Sequence, residues 1–155
     1  MVAEKLLRQD LFALLTPKEV EVLSNASGVV SLKKGEKVYS EGIPASHLFV
    51  LLKGKVELRR PAEGRHDLIV DDISEGGVFG VSSLGQDERY LLNAECVENS
   101  DVLKVESRVL RAILDENPVA GYAIEKKISQ IFFKRYVEAM ERLRAVVQVV
   151  ALGLA

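Results

Sequence analysis

The sequence predicts a mainly β fold with flanking α-helices, namely an antiparallel, jelly-roll-like β-roll between N-terminal helices and a long C-terminal dimerisation helix. Between residues 29 and 106, short apolar segments are separated by glycine turns about every ten residues, which is typical of a closed antiparallel roll or barrel. After residue 107 the apolar residues recur with helical spacing. We therefore divide the chain into N-terminal helices (1–28), a β-roll (29–106), and a short helix followed by a long one (107–155).

The N-terminal segment carries two helical patterns. The first is an apolar stripe across residues 6–15. A second helix should begin after Thr16, because Thr16 can cap it, Pro17 suits its first position and Glu19 can reach back to the cap. We expect this helix to end before Gly28.

The central segment reads as short strands joined by polar turns. Residues 48–52 are continuously apolar and predict a buried strand. Residues 61–67 form a polar loop. The other expected strands lie at 29–32, 38–40, 56–58, 68–70, 91–97 and 102–105.

The last segment predicts a short helix from Ser107 and then a long one that Asn117 caps and Pro118 opens. A helix over 119–152 would be about 50 Å long, which is more than so small a roll can cover. Apolar residues with alternating steps of three and four form a heptad seam for a parallel homodimer. The seam residues are Phe132, Tyr136, Ala139, Leu143, Val146 and Val150.

Composition excludes several classes of function. The formal net charge of −2 and the pI of about 5.8 give no support for binding nucleic acid. No apolar run approaches the roughly 18 residues of a membrane helix, so we expect a cytoplasmic protein without membrane association. Cys96 is expected to be buried and inert. Since His47 and His66 both lie in turn-like stretches, we predict neither a metal site nor a catalytic one.

The glycine-dense segment 76–90 predicts a turn that binds a small anion. Free backbone N–H groups can point at an anion, and an arginine can bind it with two hydrogen bonds. The candidate ligand-binding residues here are Phe79, Gly80, Val81, Ser82, Ser83, Arg89 and Tyr90.

The order of these elements, with the residues at 34–36, 41–42, 48–58 and 77–80, resembles the cyclic-nucleotide-binding domain. It is most similar to the sensor half of bacterial regulators of the catabolite activator/fumarate–nitrate regulator superfamily. The resemblance implies a non-catalytic regulatory module that binds cAMP, cGMP or another small anion and passes that state to the long helix. It also implies second ligand contacts from Arg135 and Tyr136 on that helix.

The chain departs from the family's phosphate-binding cassette at two positions. The family's Phe-Gly-Glu is Phe79-Gly80-Val81 here, so the carboxylate that accepts from the ribose hydroxyl is missing. Arg89 is the candidate for the family's phosphate-binding arginine, yet counting back from the next strand places Tyr90 at that position. Two hypotheses follow: a working site anchored by Arg89, or a degenerate domain that no longer binds nucleotide and serves dimerisation or docking.

Regulators of this superfamily carry a helix-turn-helix domain after the long helix. The present sequence ends immediately after that helix, so we expect no direct DNA binding by this chain.

Overall fold

A computed structural model of the chain describes residues 1–85 and 89–153. Helices α1 (Val2–Leu7) and α2 (Pro17–Asn25) precede the strands, and α3 (Ser107–Glu116) and α4 (Pro118–Ala151) follow them. Short 3₁₀ helices occur at Asp10–Phe12 and Val81–Leu84. The strands are β1 (Ser27–Leu32), β2 (Lys37–Tyr39), β3 (His47–Lys53), β4 (Val56–Arg60), β5 (Leu68–Ile73), β6 (Val78–Phe79), β7 (Asn93–Cys96) and β8 (Ser100–Glu106).

The strands form two antiparallel four-stranded sheets, with the orders β1-β8-β3-β6 and β2-β7-β4-β5. This arrangement confirms the predicted mainly β roll with flanking helices. Strand β3 is buried on both faces because helices cover one side of its sheet and the second sheet covers the other. That double burial explains the continuous apolar run at 48–52.

Two apolar cores follow from this layering. The first lies between the helices and the sheet that contains β3, and Leu23, Leu48 and Ile124 are among its fully buried members. The second lies between the two sheets and contains four aromatic side chains: Tyr39, Phe49, Phe79 and Tyr90. We refer to these four residues as the aromatic cluster.

The predicted cap of α2 is present. The Thr16 backbone N–H donates to Oε2 of Glu19 at 2.8 Å, and the Glu19 backbone N–H donates to Oγ1 of Thr16 at 3.3 Å. At the start of α4, Oδ1 of Asn117 accepts from the backbone N–H of Ala120 at 3.1 Å, while its Nδ2 donates to Glu19 at 3.0 Å. The two caps are therefore joined through Glu19.

The structure differs from the expected elements at three places. The apolar stripe at 6–15 is not one helix, because α1 ends at Leu7 and a 3₁₀ turn follows. Strand β6 was not expected, since its two apolar residues follow directly on glycines. Strand β7 begins at Asn93 rather than at Leu91, whose side chain is exposed.

Helix α4 changes character along its length. Its buried residues, Ala120, Ile124 and Ile128, lie in the first three turns and pack in the helical core. From Phe132 onward its large apolar side chains are exposed. No helix among the described residues has the length and hydropathy needed to span a membrane.

Candidate functional site

The glycine turn before β6 uses its backbone N–H groups internally. The N–H of Gly76 donates to the carbonyl of Leu51 at 2.8 Å, and the N–H of Gly77 donates to the carbonyl of Ser74 at 2.8 Å. The expectation of free N–H groups at these two glycines is therefore wrong. They fasten the turn to β3 instead of facing an anion.

Gly80 occupies a position that only glycine fits without strain. Its φ of +72° lies in the left-handed region, and a Cβ there would lie 2.7 Å from Cδ2 of Phe49. This close approach seats the 3₁₀ helix Val81–Leu84 directly behind β3.

The 3₁₀ helix turns its side chains into different surroundings. Val81, at the position of the family's glutamate, is buried in the helical core. Ser83 is also buried, and its Oγ accepts a hydrogen bond from Oγ of Ser107, the first residue of α3. Ser82 lines a cavity of about 360 Å³ between the 3₁₀ helix and α4. Among the residues that the structure describes, the only charged one lining that cavity is Glu125, which would repel a phosphate.

Tyr90 lies inside the roll as part of the aromatic cluster. Its ring stacks on Tyr39 with centroids 3.9 Å apart and 14° between the ring planes. Phe49 and Phe79 stack beside them at 5.4 Å. The Tyr90 Oη donates to the carbonyl of His47 at 2.8 Å and accepts from the His47 N–H at 3.2 Å. Burial raises the pKa of both tyrosines, so both rings are neutral at physiological pH.

Arg89 lies on the opposite side of the chain from Tyr90. Its side chain is exposed, and Nη1 donates to the carbonyl of Gly42 at 2.6 Å. Arg89 also forms an isolated antiparallel bridge with Pro44. Successive residues of an extended chain point in opposite directions. With Tyr90 directed inward, the guanidinium of Arg89 is directed away from the interior.

Arg135 and Tyr136, the two candidate residues of α4, lie in different surroundings. Arg135 turns toward the roll, where its Nε donates to Oδ2 of Asp71 at 2.7 Å and its side chain is 13% exposed. Its guanidinium carbon lies 5.9 Å from the ring centroid of Phe132. Within the described residues, its buried Nη2 has no hydrogen-bond partner. Tyr136, the next residue along the helix, is exposed.

Sequence reasoning missed Tyr39, Phe49 and Asp71. The aromatic cluster could have been suspected only in part, because successive side chains of a strand point to opposite faces, but β3 is buried on both of them. No sequence signal pairs Asp71 with Arg135, since the two are 64 positions apart. In the described part of the chain, no group of three His, Cys, Asp or Glu residues could hold a metal ion.

Comparisons with known proteins agree on one family and one fold. The family model described as cyclic nucleotide-binding domain matches residues 29–117, more than half of the chain. The CRP-like cAMP-activated global transcriptional regulator of Mycobacterium tuberculosis is 24% identical over 116 residues, which cover 74% of this chain and 51% of that protein. The anaerobic regulatory protein of Bacillus subtilis is 24% identical over 110 residues, covering 70% and 46%. The chain thus spans about half the length of the curated relatives it matches.

Solved structures are similar over most of the chain. The sensor domain of the transcriptional regulator DNR from Pseudomonas aeruginosa matches with a TM-score of 0.76 and 26% identity, covering 88% of this chain and 93% of that one. The catabolite activator protein of Thermus thermophilus matches with a TM-score of 0.67 and 22% identity, covering 88% and 62%.

Proposed function

The chain belongs to the cyclic nucleotide-binding domain family, and from that premise we propose that it is a dimeric regulatory module whose β-roll no longer takes a cyclic nucleotide in the family's usual pose. The resemblance drawn from the sequence is confirmed, and the family is one of regulatory binding domains rather than enzymes. Because its relatives are named as transcriptional regulators, we also propose a cytoplasmic location.

The observation that carries the proposal is the position of Tyr90. In the family pattern an arginine at this point holds the cyclic phosphate. Here a neutral phenol occupies it, stacked on Tyr39 and bonded to the backbone of His47. A phosphate placed here would meet aromatic surface in place of a cation.

The energetic argument points the same way. To admit a nucleotide, the buried ring of Tyr90 would have to leave the cluster, at a cost of about 1.5–3 kcal/mol. Val81 offers no acceptor to the ribose hydroxyl, and a buried hydroxyl without a partner costs about 1–3 kcal/mol. Each effect alone lowers affinity by roughly one to two factors of ten.

Dimerisation is the activity that α4 supports best. The large seam residues are half exposed or more, and Ala139 is exposed beside them. A continuous apolar stripe on a helix that extends past its own core indicates a partner surface. The a and d spacing favours a second, parallel copy of α4.

The test is isothermal titration calorimetry with cAMP and with cGMP, run on the natural chain, on Arg89→Ala and on Arg111→Ala, an exposed arginine of α3 that serves as the matched control. We expect no heat from either nucleotide up to millimolar concentration. Micromolar binding that Arg89→Ala abolishes and Arg111→Ala retains would overturn the proposal and make Arg89 the phosphate anchor. Sedimentation of the same samples tests the dimer separately.

A second candidate function is regulation by a different small anion, held between β5 and α4. The observation that favours it is the buried Nη2 of Arg135, for which the described residues provide no hydrogen-bond partner. Arg135 lines a cavity of about 240 Å³ together with Lys127 and Lys134. Asp71 and Asp72 line the same cavity and oppose an anion. Titration with sulfate, followed by the thermal midpoint of the natural chain and of Arg135→Gln, tests this. A rise in the thermal midpoint that occurs only in the natural chain would support this second function. Equal rises in the natural chain and in Arg135→Gln would rule it out.

A further inference from the structure

A third apolar row runs along α4 beside the seam. With Tyr136, Leu143 and Val150 at heptad position a, position e is taken by Phe133, Met140 and Val147, which are 68%, 47% and 58% exposed. Position e of a two-stranded coiled coil is usually charged, because it lies at the edge of the a and d seam. An apolar row at this edge therefore requires a cover that the seam alone does not provide.

The other edge of the seam, position g, faces strand β5 of the same chain. Arg135 and Arg142 occupy this position one heptad apart. Arg135 binds the carboxylate of Asp71 at 2.7 Å, and Nη1 of Arg142 donates to the carbonyls of Ile69 at 2.9 Å and Val70 at 3.4 Å. Strand β5 is thus held along the g edge of its own helix.

Leu68 is an exposed apolar residue on the side of β5 that faces α4. Across the β4–β5 ladder, Asp71 pairs with Leu58 and Leu68 pairs with Arg60. Since residues 58 and 60 point to the same face of β4, Asp71 and Leu68 share a face of β5. Asp71 meets α4 through Arg135, so Leu68 borders the same helix, yet its side chain is 59% exposed.

The apolar e row of one helix and the exposed Leu68 of the other subunit come together in a parallel pair of helices. In such a pair, the g edge of one helix and the e edge of its partner line the same side of the coil. The g residue lies beside the e residue of the partner's next heptad, which sets the partner's Val147 beside Arg142. Because Arg142 is bonded to Ile69 and Val70, the partner's Val147 also lies next to Leu68.

We propose that Leu68 of each β-roll packs on the partner's Val147, so that the β4–β5 hairpin of one subunit covers the C-terminal end of the e row of the other. This inference rests on the parallel dimer of the proposed function. It assigns a partner to that end of the third apolar row and makes each roll contact both helices. An antiparallel pair would bring the two e rows together and leave Leu68 uncovered.

The test is disulfide cross-linking between two differently tagged chains, one carrying Leu68→Cys and the other Val147→Cys, mixed and oxidised under mild conditions. Val150→Cys in both chains is the seam control, because equivalent a positions near the helix end meet only in a parallel pair. The natural chain is the background control, since Cys96 is fully buried and burial raises the pKa of its thiol.

The result expected is a Leu68–Val147 link between the two tags together with a Val150–Val150 link. A Val150 link without the Leu68–Val147 link would overturn this inference and leave the parallel dimer standing. Monomers in sedimentation, with neither link, would overturn the dimer and this inference together.

A second variant needs no cross-link. Leu68→Glu changes a side chain that is exposed within its own subunit, so the fold of the monomer should persist. We expect the dissociation constant of the dimer to rise about tenfold, because each dimer holds two copies of the contact. Unchanged dissociation in Leu68→Glu, with intact circular dichroism, would also overturn the inference.

Discussion

The ring of Tyr90 lies 3.9 Å from the ring of Tyr39, nearly parallel to it and buried between the two sheets. The stack joins the short strand β2 to the segment that leads into β7. An aromatic pair of this kind contributes about 0.5–1.5 kcal/mol beyond the burial of its surface. The stacked pair of Tyr39 and Tyr90 therefore stabilises the roll.

The hydroxyl of Tyr90 should contribute to stability separately from its ring. Tyr90→Phe keeps the stack but removes both hydrogen bonds to the backbone of His47. We expect the free energy of unfolding to fall by about 1–3 kcal/mol, measured by urea denaturation. Tyr122→Phe, at a side chain that is 70% exposed, is the control and should change little. Equal effects at the two positions would contradict the bonds described here.

Gly80 and Gly76 separate backbone strain from steric conflict. Both have a positive φ, +72° and +82°, but only at Gly80 would a Cβ meet another atom closely, Cδ2 of Phe49 at 2.7 Å. Gly76→Ala should cost about 1 kcal/mol, as expected for an alanine in the left-handed region. Gly80→Ala should cost more by at least about 1 kcal/mol, because Phe49 must also shift. The comparison is made by thermal and urea denaturation. Equal losses of stability in the two variants would mean that the ring of Phe49 shifts without cost.

The Arg135–Asp71 pair should couple α4 to the roll. A double-mutant cycle with Arg135→Gln and Asp71→Asn measures this coupling, for which we expect about 1–2 kcal/mol because the pair is largely shielded from water. The control cycle uses Lys134 and Glu138, an exposed pair on the same helix, for which about 0.5 kcal/mol or less is expected. A coupling free energy at Arg135–Asp71 that is no larger than in the control would show that this pair does not couple α4 to the roll.

Glu19 should make stability depend on acid pH. The backbone N–H of Thr16, and then Asn117, hold the pKa of this carboxyl below its ordinary 4.5. The unfolded chain therefore takes up the proton at a higher pH than the folded one. The stability that Glu19 contributes is present above pH 4.5 and is lost as the pH falls through the lower folded pKa.

The measurement is the free energy of unfolding between about pH 6 and about pH 3. The natural chain should lose more stability over this interval than Glu19→Gln does. Glu21→Gln, on the same helix and exposed, should keep the natural slope. A natural chain and a Glu19→Gln variant with the same slope would count against the linkage.

Local chemistry explains which parts of the fold could be predicted from sequence. The cap at Thr16 and the start of α4 at Asn117 depend on residues within three positions of each other, so the sequence alone specifies them. The continuous apolar run in β3 likewise reports burial on both faces. The exposed half of α4 was expected because its seam extends past any surface the roll can offer.

The candidate site was harder to predict because it depends on register and on distant pairs. Whether Arg89 or Tyr90 faces inward changes with a shift of one residue, and both glycine turns and bulges alter that count. The ladder shifts register between Leu58 and Arg59, for example, which periodicity cannot reveal. The partners of Ser83 and Arg135 lie 24 and 64 positions away, so only the folded chain brings them together.

The buried hydroxyl pair of Ser83 and Ser107 has a consequence for how this sequence can change over time. Replacing one serine by alanine leaves the other buried hydroxyl without a hydrogen-bond partner, which lowers the free energy of unfolding by about 1–3 kcal/mol. Replacing both serines removes the two polar groups together and can be nearly neutral. The order of mutations then matters, since either single step passes through a less stable protein. The tolerance of the 3₁₀ helix to substitution is therefore expected to depend on the residue at the start of α3, although both serines are buried.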